Sequence, residues 1–288
     1  MKKICIIGAG HAFEFQYKAL KKLGYDILVC DINKEKLKDY EKTITDYHDI
    51  PKEYNLVLIS TPPNTHHEII KYLYSKNKKI ITEKPLVINM NQLNELSENN
   101  YQFYNILHFS FGDEIEYFIN SKYSKEKPEY IKIYINDPYI ENNHIQKEKI
   151  ALNGSYLDET INPLSALKRI YQKDIKYKKT VKFVYEGDKH DYASISKFKI
   201  GDIKIDAFVK WNDKNNKNKY IDIYFKDYTI RLDSINRSVI NITTNETLYK
   251  NDEDRMYKHY LNAFKDYEIK KENSKEAIIL NREILRGV

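Results

Sequence analysis

The first third of the chain alternates continuous apolar runs with stretches of helical periodicity. The runs lack the polar alternation of a half-exposed strand, so they predict parallel strands covered on both faces. They lie at residues 3–7, 27–30, 55–59, 79–82 and 104–107. Apolar residues at helical spacing occupy residues 12–23 and follow Pro63. This part of the chain predicts an α/β domain, which we bound at residues 1–115.

The second half of the chain changes to a period of two. Alternating apolar and polar residues predict strands at 131–135, 181–185, 192–198, 203–208, 221–225 and 239–242. About six such strands favour a large open, mostly antiparallel sheet with one face on the core. Helices are predicted at 256–264 and 275–285, and the last is a candidate to pack back on the first domain. We expect an α+β domain over residues 116–288.

Composition and charge exclude several classes of function. The 48 basic and 42 acidic residues are spread along the 288 positions, without the basic block of a nucleic-acid-binding arm. No apolar run approaches the ~18 residues of a membrane span, and a strand starts at Lys3, which leaves no room for a signal peptide. Cys5 and Cys30 lie in apolar runs as expected of buried thiols, and the histidines lack metal-ligand spacing. We expect a cytoplasmic protein with no nucleic-acid, membrane or metal partner.

The first strand is followed by a glycine turn that points to a dinucleotide. Gly8-Ala9-Gly10 separates a strand from a helix, and the next strand ends at Asp31. The glycines allow close approach of a pyrophosphate at the helix N-terminus, and the acid binds a ribose hydroxyl and repels a 2′-phosphate. This favours NAD over NADP. Phe13 stands where a third small residue is usual, so we expect an adjusted turn or a differently seated cofactor. The residues assigned to the cofactor here are Gly8, Gly10, His11, Ala12 and Asp31.

Two later strands also end in polar residues. The strand at 55–59 runs into Thr61-Pro62-Pro63-Asn64-Thr65-His66, and the strand at 79–82 runs into Glu83-Lys84-Pro85. Open α/β sheets bind ligands at the carboxyl ends of their strands, so both segments are candidates for a site. The alternatives are a surface ion pair at Glu83-Lys84 and a helix-capping role for His66.

Taken in order, these motifs resemble the glucose–fructose oxidoreductase / myo-inositol dehydrogenase (Gfo/Idh/MocA) family. The resemblance rests on Gly8-x-Gly10, Asp31, the 61–66 segment and Glu83-Lys84-Pro85. It implies a Rossmann NAD(P)-binding domain, an α/β domain with an open sheet, and activity on sugars, cyclitols or their derivatives. It further implies a cis bond before Pro85, and assigns to the cofactor Thr61, Pro62, Asn64, His66, Glu83 and Lys84.

The resemblance also implies partners and further site residues. In the family the polar face of the second sheet often meets another subunit, so we expect a homodimer or homotetramer through this Lys- and Tyr-rich face; a merely solvated face is the alternative. His108, where the chain crosses to the second domain, is a candidate substrate contact or a packed side chain.

Asp158 and Asn162 form the candidate site of the second domain. Periodicity predicts one helix over 156–171, in which these residues lie four apart on one face. Without further context this is a surface pair. The family carries Asp-x-x-x-His here, and the Asp-x-x-x-Asn version resembles the branch containing D-galactose and L-arabinose 1-dehydrogenases. Pro163 is expected to kink the helix or to mark where it begins again.

The chemistry expected is hydride transfer between a nicotinamide and a CH–OH group. The predicted catalytic residues are Lys84, Asp158 and Asn162. Asn162 can only orient the substrate, so we expect Asp158 to be the base while a charged Lys84 polarises the hydroxyl. The predicted function is an NAD-dependent sugar dehydrogenase or reductase. The alternatives are a nucleotide-sugar oxidoreductase of surface polysaccharide synthesis and an inactive NAD(P)-binding sensor or partner subunit, which Phe13 and Asn162 motivate.

Overall fold

A computed structural model of the protein describes residues 2–212 and 217–288. These residues form two compact units. The first unit runs to Ile106 and also includes Met256–Ile278, whereas the second comprises Leu107–Arg255 and Ile279–Val288. The first unit is therefore built from two separate stretches of the chain.

The described residues contain 16 strands. In the first unit they are β1 (Lys2–Ile7), β2 (Tyr25–Cys30), β3 (Thr43–Ile44), β4 (Leu56–Ile59), β5 (Lys79–Thr82) and β6 (Tyr104–Asn105). In the second they are β7 (Tyr130–Asp137), β8 (Ile140–Glu141), β9 (His144–Ile145), β10 (Ile175–Phe183), β11 (Ala193–Ile200), β12 (Ile203–Trp211), β13 (Asn218–Tyr224), β14 (Thr229–Asp233), β15 (Ser238–Asn241) and β16 (Glu246–Lys250).

Eight α-helices occur in the same residues: α1 (Phe13–Lys22), α2 (Pro63–Ser75), α3 (Met90–Glu98), α4 (Asp113–Asn120), α5 (Ser155–Glu159), α6 (Ile161–Tyr171), α7 (Arg255–Lys270) and α8 (Ser274–Leu285). Short 3-10 helices cover Lys34–Leu37, Tyr47–Asp49, His108–Phe111, Lys122–Lys125 and Lys147–Leu152. None of the helices in the described part of the chain is both long and apolar enough to cross a bilayer.

The first unit is organised around a parallel six-stranded sheet. Its strand order is β3-β2-β1-β4-β5-β6, and every paired neighbour runs parallel. The continuous apolar runs explain the central position of β1 and β4, whose residues from Ile4 to Ile7 and from Val57 to Ile59 are almost completely buried. Cys5 and Cys30 are buried free thiols of this sheet, as predicted.

Late residues of the chain complete the last strand of the first unit. The Asn105 N–H donates to Asn273 Oδ1 at 2.7 Å, and Asn273 Nδ2 donates back to the Asn105 carbonyl at 3.0 Å. The Tyr104 hydroxyl donates to Asp266 Oδ2 at 2.6 Å. The edge of the parallel sheet is thus held by residues from the other end of the sequence.

The second unit is organised around an eight-stranded sheet. Its order is β10-β11-β12-β7-β13-β14-β15-β16, and only β12 and β7 pair in parallel. The period-two pattern of β7 alternates buried Ile131, Ile133 and Ile135 with half-buried residues. The predicted fold class, a Rossmann domain followed by a large and mostly antiparallel sheet, is confirmed. β14 and β16 are additional to the six strands expected.

The helix predicted over 156–171 is wrong in one respect. It is two helices, α5 and α6, with Thr160 between them. Pro163 is the third residue of α6, where its missing N–H costs no helical hydrogen bond. The alternative that Pro163 marks where the helix begins again is therefore confirmed, whereas the kink of one long helix is wrong.

Candidate active site

The turn after β1 brings two backbone segments into contact at Gly8. Gly8 has a φ of +99°, and a Cβ at this position would lie 2.6 Å from the carbonyl oxygen of Ser60. Any larger residue is excluded, because this φ is strained for L side chains and backbone already fills the space. The Gly8 N–H donates to the Cys30 carbonyl at 2.7 Å, which joins the turn to the end of β2.

Gly10 is small for a different reason. The nearest neighbour that a Cβ would meet is the Ser60 carbonyl oxygen, at 3.9 Å. Protein packing therefore leaves room for a side chain that the sequence does not use. This space lies just before α1, and the N-cap residue Ala12 provides no side-chain cap for the helix. A pyrophosphate could therefore approach the backbone closely at this point.

Asp31 is hydrogen-bonded to the glycine turn. Its Oδ2 accepts the Ala9 N–H and its Oδ1 accepts the Asn33 N–H, each at 2.8 Å. Lys36 lies 3.7 Å from Oδ2. The structure thus brings together the glycines and the acid that the sequence analysis paired.

The aromatic ring of Phe13 is accommodated within the first unit. Phe13 is the first residue of α1 and is 2% exposed. Its ring packs against Tyr17 at 5.6 Å and edge-on against Tyr40 at 5.2 Å between centroids. The bulk that replaces the third small residue therefore belongs to an aromatic cluster of Phe13, Tyr17 and Tyr40.

The other predicted cofactor residues lie at the same edge of the parallel sheet, after β1, β4 and β5. Because these strands are neighbours and run parallel, their carboxyl ends meet at this edge. His11, Pro62 and Asn64 are exposed, whereas Ala12, Thr61 and Lys84 are half-buried.

His66 connects two of these strand ends. It is fully buried, with Nδ1 3.0 Å from the Pro85 carbonyl oxygen and Nε2 2.9 Å from the Thr61 carbonyl oxygen. Burial lowers the pKa of His66, against the opposing effect of these carbonyls. The histidine thus contacts the Thr61 segment and the Lys84–Pro85 peptide, which is cis as expected. The alternative of a helix-capping His66 is wrong, since α2 has no side-chain cap.

Glu83 anchors the end of β5 from inside the first unit. Its Oε1 accepts a hydrogen bond from Gln16 Nε2 at 2.7 Å, and its Oε2 accepts the Lys84 N–H at 3.1 Å. Burial raises the pKa of Glu83, although the Tyr260 hydroxyl and the Lys84 charge oppose the rise. The expectation of a surface ion pair is wrong for this carboxyl, because Glu83 is buried and bound to α1.

Asp158 and Asn162 belong to the second unit and are both buried. They are 5% and 4% exposed, so the interpretation as a surface pair is wrong. Asn162 Nδ2 donates to Glu159 Oε2 at 3.0 Å, and the Ser165 hydroxyl donates to the Asn162 carbonyl at 2.6 Å. His108, the other candidate of this unit, is also buried.

Glu159 belongs to a buried group of charged side chains that was not predicted from the sequence. Lys219 Nζ donates to both Glu159 oxygens at 3.1 Å and lies 2.5 Å from Asp137 Oδ2. We call Asp137, Glu159, Asn162 and Lys219 the Lys219 cluster. Its two carboxylates, one ammonium and one amide are all at least nine-tenths buried.

Burial dominates the electrostatics of this cluster. Burial raises the pKa of Asp137, and the neighbouring Glu159 carboxylate raises it further, while Lys219 opposes the rise. Burial alone would lower the pKa of Lys219, but the Glu159 and Asp137 charges outweigh it, so that the pKa is raised. Lys219 therefore stays charged between two acids.

A signal for the cluster is present in the strand patterns. Ile131, Ile133 and Ile135 face the core, and one further step of two places Asp137 on the same face. Two residues before the buried Ile221, Lys219 likewise falls on the core face of β13. A lysine and an aspartate at core positions of adjacent antiparallel strands indicate a buried ion pair.

Residues 2–108 match the model of an oxidoreductase family with an NAD-binding Rossmann fold, GFO_IDH_MocA. The first domain is thus similar to the NAD-binding domain of this oxidoreductase family. The match includes the glycine turn, Asp31, the Thr61 segment and Glu83-Lys84-Pro85, the same motifs that carry the resemblance in sequence.

Solved structures of several dehydrogenases share the fold at low sequence identity. UDP-N-acetylglucosamine 3-dehydrogenase GnnA from Acidithiobacillus ferrooxidans has a TM-score of 0.79 at 13% identity, over 99% of this chain and 96% of that one. Myo-inositol 2-dehydrogenase from Lactobacillus plantarum has a TM-score of 0.75 at 14% identity, over 98% and 95%. Scyllo-inositol dehydrogenase from Lactobacillus casei, solved with NAD(H) and scyllo-inositol, has a TM-score of 0.74 at 14% identity, over 100% and 96%. The chain matches none of the curated proteins.

Proposed function

We propose that this protein is a member of the Gfo/Idh/MocA family and an NAD-dependent dehydrogenase or reductase of a CH–OH group on a sugar or sugar derivative. One observation carries the proposal: the glycine turn is hydrogen-bonded to Asp31 at the sheet edge where Thr61 and Lys84 also lie. This combination supplies a dinucleotide-binding turn and a candidate catalytic amine on one rigid element. The sugar class is supported by the enzymes whose fold is similar, and by the polar side chains in the second unit.

The residues around the turn fit a dinucleotide. The space beside Gly10 suits a pyrophosphate, and Gly8 keeps the turn close to Ser60. Each Asp31 oxygen accepts one backbone N–H and retains capacity for a second donor, which a ribose hydroxyl provides. The negative charge of Asp31 disfavours a 2′-phosphate, which supports NAD over NADP.

In our proposal three side chains act on the substrate during hydride transfer. When bound, the nicotinamide supplies the hydride acceptor or donor. Asp158 removes the hydroxyl proton during oxidation, a role that contributes roughly 10²–10⁴-fold in rate. Lys84 polarises a substrate hydroxyl, and Asn162 orients the substrate, because an amide does not exchange a proton near neutrality.

The test has two stages. NADH is first titrated while its fluorescence is monitored, and we expect saturable binding that NADPH competes for weakly. The protein is then assayed with NAD and a panel of D-galactose, L-arabinose, myo-inositol and UDP-N-acetylglucosamine. Turnover of a free sugar or cyclitol supports the proposal, whereas turnover of the nucleotide sugar alone assigns it to nucleotide-sugar oxidation. Saturable binding without turnover of any compound would favour a sensor or partner subunit.

We also propose that the protein forms a homodimer or homotetramer through the outer face of the second sheet. Aromatic side chains lie on this face between the core-facing isoleucines: Tyr134 stacks on Phe208 at 5.2 Å, and the Arg231 guanidinium lies 3.8 Å from the Tyr220 ring centroid. Amphipathic rings of this kind suit a protein interface. Light scattering after gel filtration tests the proposal. A monomer at micromolar concentration would contradict it.

A further inference from the structure

The Lys219 cluster fixes the direction of one amide. Asn162 Nδ2 lies 3.0 Å from Glu159 Oε2, an oxygen that also accepts a hydrogen bond from Lys219. An ionised carboxylate only accepts hydrogen bonds, so the NH₂ end of the amide must face Glu159. Turning the amide over would place its oxygen against a carboxylate, which is repulsive in a buried site.

Glu159 accepts hydrogen bonds from its neighbours in the cluster. Lys219 donates to both of its oxygens, and Arg255 adds a further positive charge near the lysine. Glu159 Oε2 thus accepts from both Lys219 and Asn162, which makes Glu159 the acceptor for the amide.

The other end of the amide has a different environment. Asn162 Oδ1 is buried and accepts no hydrogen bond from residues 2–212 or 217–288. A buried acceptor without a donor is unfavourable, so an arrangement that fixes Oδ1 in this state needs an explanation. A shift of the Asn162 backbone cannot bring Oδ1 to a donor, because the residue lies in α6 and its carbonyl accepts the Ser165 hydroxyl.

We propose that Glu159 and Lys219 are positioning residues that fix the Asn162 amide so that its Oδ1 accepts a hydrogen bond from a hydroxyl of the bound substrate. The assignment of the donor to a substrate rests on the proposed function. It adds a specific requirement to that function. Since Oδ1 can only accept, the group recognised at Asn162 is a hydroxyl and not a carbonyl oxygen.

Glu159→Gln is the first test, because it removes the charge and keeps the size of the side chain. A glutamine amide can face Asn162 with either its oxygen or its NH₂, so the direction of the Asn162 amide is no longer fixed. We expect the KM of the best substrate of the sugar and cyclitol panel to rise about tenfold, as for the loss of one good hydrogen bond. The Kd of NADH, measured by fluorescence, should change less than about twofold.

A double-mutant cycle separates positioning from general damage. In an Asn162→Ala background, Glu159→Gln should change the KM by less than about twofold, because the side chain that it positions is gone. The matched control is Asp222→Asn, on the same strand as Lys219. This substitution removes the buried carboxylate of the Asp222–Arg231 ion pair. Its effect should be the same with and without Asn162. Equal effects of Glu159→Gln in both backgrounds would overturn the proposal.

The charge-neutral double variant Glu159→Gln/Lys219→Met addresses stability. Lys219→Met alone leaves two buried carboxylates without a cation and is expected to unfold the second unit at lower urea concentration. The double variant should recover the urea midpoint while its KM stays raised. Recovery of both quantities would show that the pair only stabilises the fold, and would overturn the positioning role.

A spectroscopic measurement keeps this inference separate from the proposed function. The side-chain amide signal of Asn162 is identified in ¹⁵N-labelled protein by its loss in Asn162→Ala. A hydrogen bond to a carboxylate should protect this NH₂ from exchange with water, and Glu159→Gln should remove the protection. If no compound of the panel is turned over, the proposed function fails, but this readout still decides the direction of the amide. An unchanged signal in Glu159→Gln would overturn the positioning role.

Discussion

The backbone N–H of Ala9 donates to Asp31 Oδ2 at 2.8 Å, so the glycine turn and the acid at the end of β2 form one hydrogen-bonded element. The acid therefore has two roles, since it shapes the turn and carries the charge that a ribose would meet. Removing it should affect both.

Asp31→Ala should weaken NADH binding about tenfold and reduce the preference over NADPH. The first effect follows from the loss of two N–H acceptors, and the second from the loss of negative charge where a 2′-phosphate would lie. Fluorescence titration with both nucleotides measures the two effects. Asp39→Ala, at an exposed position of the same unit, is the control and should leave both constants unchanged. An unaltered NADH/NADPH ratio in Asp31→Ala would contradict the assignment.

The two glycines of the turn should respond differently to the same added methyl group. Gly8→Ala places a Cβ 2.6 Å from the Ser60 carbonyl oxygen at a φ of +99°, so we expect a loss of stability of about 3 kcal/mol. Gly10→Ala meets no atom closer than 3.9 Å, so its stability should stay within about 0.5 kcal/mol. Urea unfolding measures both.

NADH binding provides the second half of this comparison. Gly10→Ala should bind NADH at least about tenfold more weakly, because the methyl group takes space that we assign to the pyrophosphate. Normal binding by this folded variant would show that the cofactor lies elsewhere.

Lys84→Ala should reduce kcat by about 10²-fold or more with the Kd of NADH nearly unchanged. The reason is that the proposed role of the amine is to polarise the substrate hydroxyl, whereas the N–H of the same residue is held by Glu83 and survives the substitution. Comparable losses of kcat and NADH affinity would instead assign Lys84 a structural role.

Asp158→Asn should lower turnover and remove the basic group from the pH profile of kcat/KM. Asn retains the size of the side chain at this buried position, so stability should change little. Rates over a range of pH, for wild type and variant, provide the measurement. Near-wild-type turnover with an unchanged profile would exclude Asp158 as the base.

Glu114 should make the second unit less stable as the pH rises. Burial raises the pKa of Glu114 from 4.5 to about 7, despite the Arg255 charge and the Ser234 hydroxyl. Between these values the unfolded chain is ionised while the folded carboxyl is protonated, so stability falls with increasing pH, by up to about 3 kcal/mol. Urea midpoints between about pH 3.5 and about pH 8, one unit beyond each limit, measure this slope.

Glu114→Gln should remove that slope, because the amide does not titrate. Glu116→Gln on the same helix, at an exposed position, is the control and should keep it. If the slopes of wild type and Glu114→Gln coincide, the buried acid is not its source.

The sequence predicted what depends on local pattern. Fully apolar runs such as Leu56–Ile59 identify buried parallel strands, because no other element of that length tolerates apolar side chains in every direction. By contrast, Glu246–Lys250 is largely polar on both faces and was missed as an edge strand. The break between α5 and α6 was predicted only as one of two alternatives at Pro163, because the apolar periodicity continues through Thr160.

The Lys219 cluster could not be placed from local pattern. Its members come from β7, α5, α6 and β13, and their meeting depends on the antiparallel register that sets Asn218 opposite Asn136. Register is a property of the folded sheet, and a shift of β13 by one residue would turn Lys219 to the other face, away from Asp137. The glycine turn and Asp31 were easier to pair, because adjacent parallel strands and one helix connect them.

The discontinuity of the first unit has a consequence for synthesis at the ribosome. Residues up to Ile106 emerge long before Asp266 and Asn273, which bind β6, and before Tyr260, which contacts Glu83. We therefore expect the nascent Rossmann domain to stay incompletely folded until the second unit has been translated. A fragment of residues 1–106 should accordingly fail to bind NADH, whereas adding residues 256–278 through a flexible tether should restore binding. Tight binding by the short fragment alone would show that the domain matures before its last helix is made.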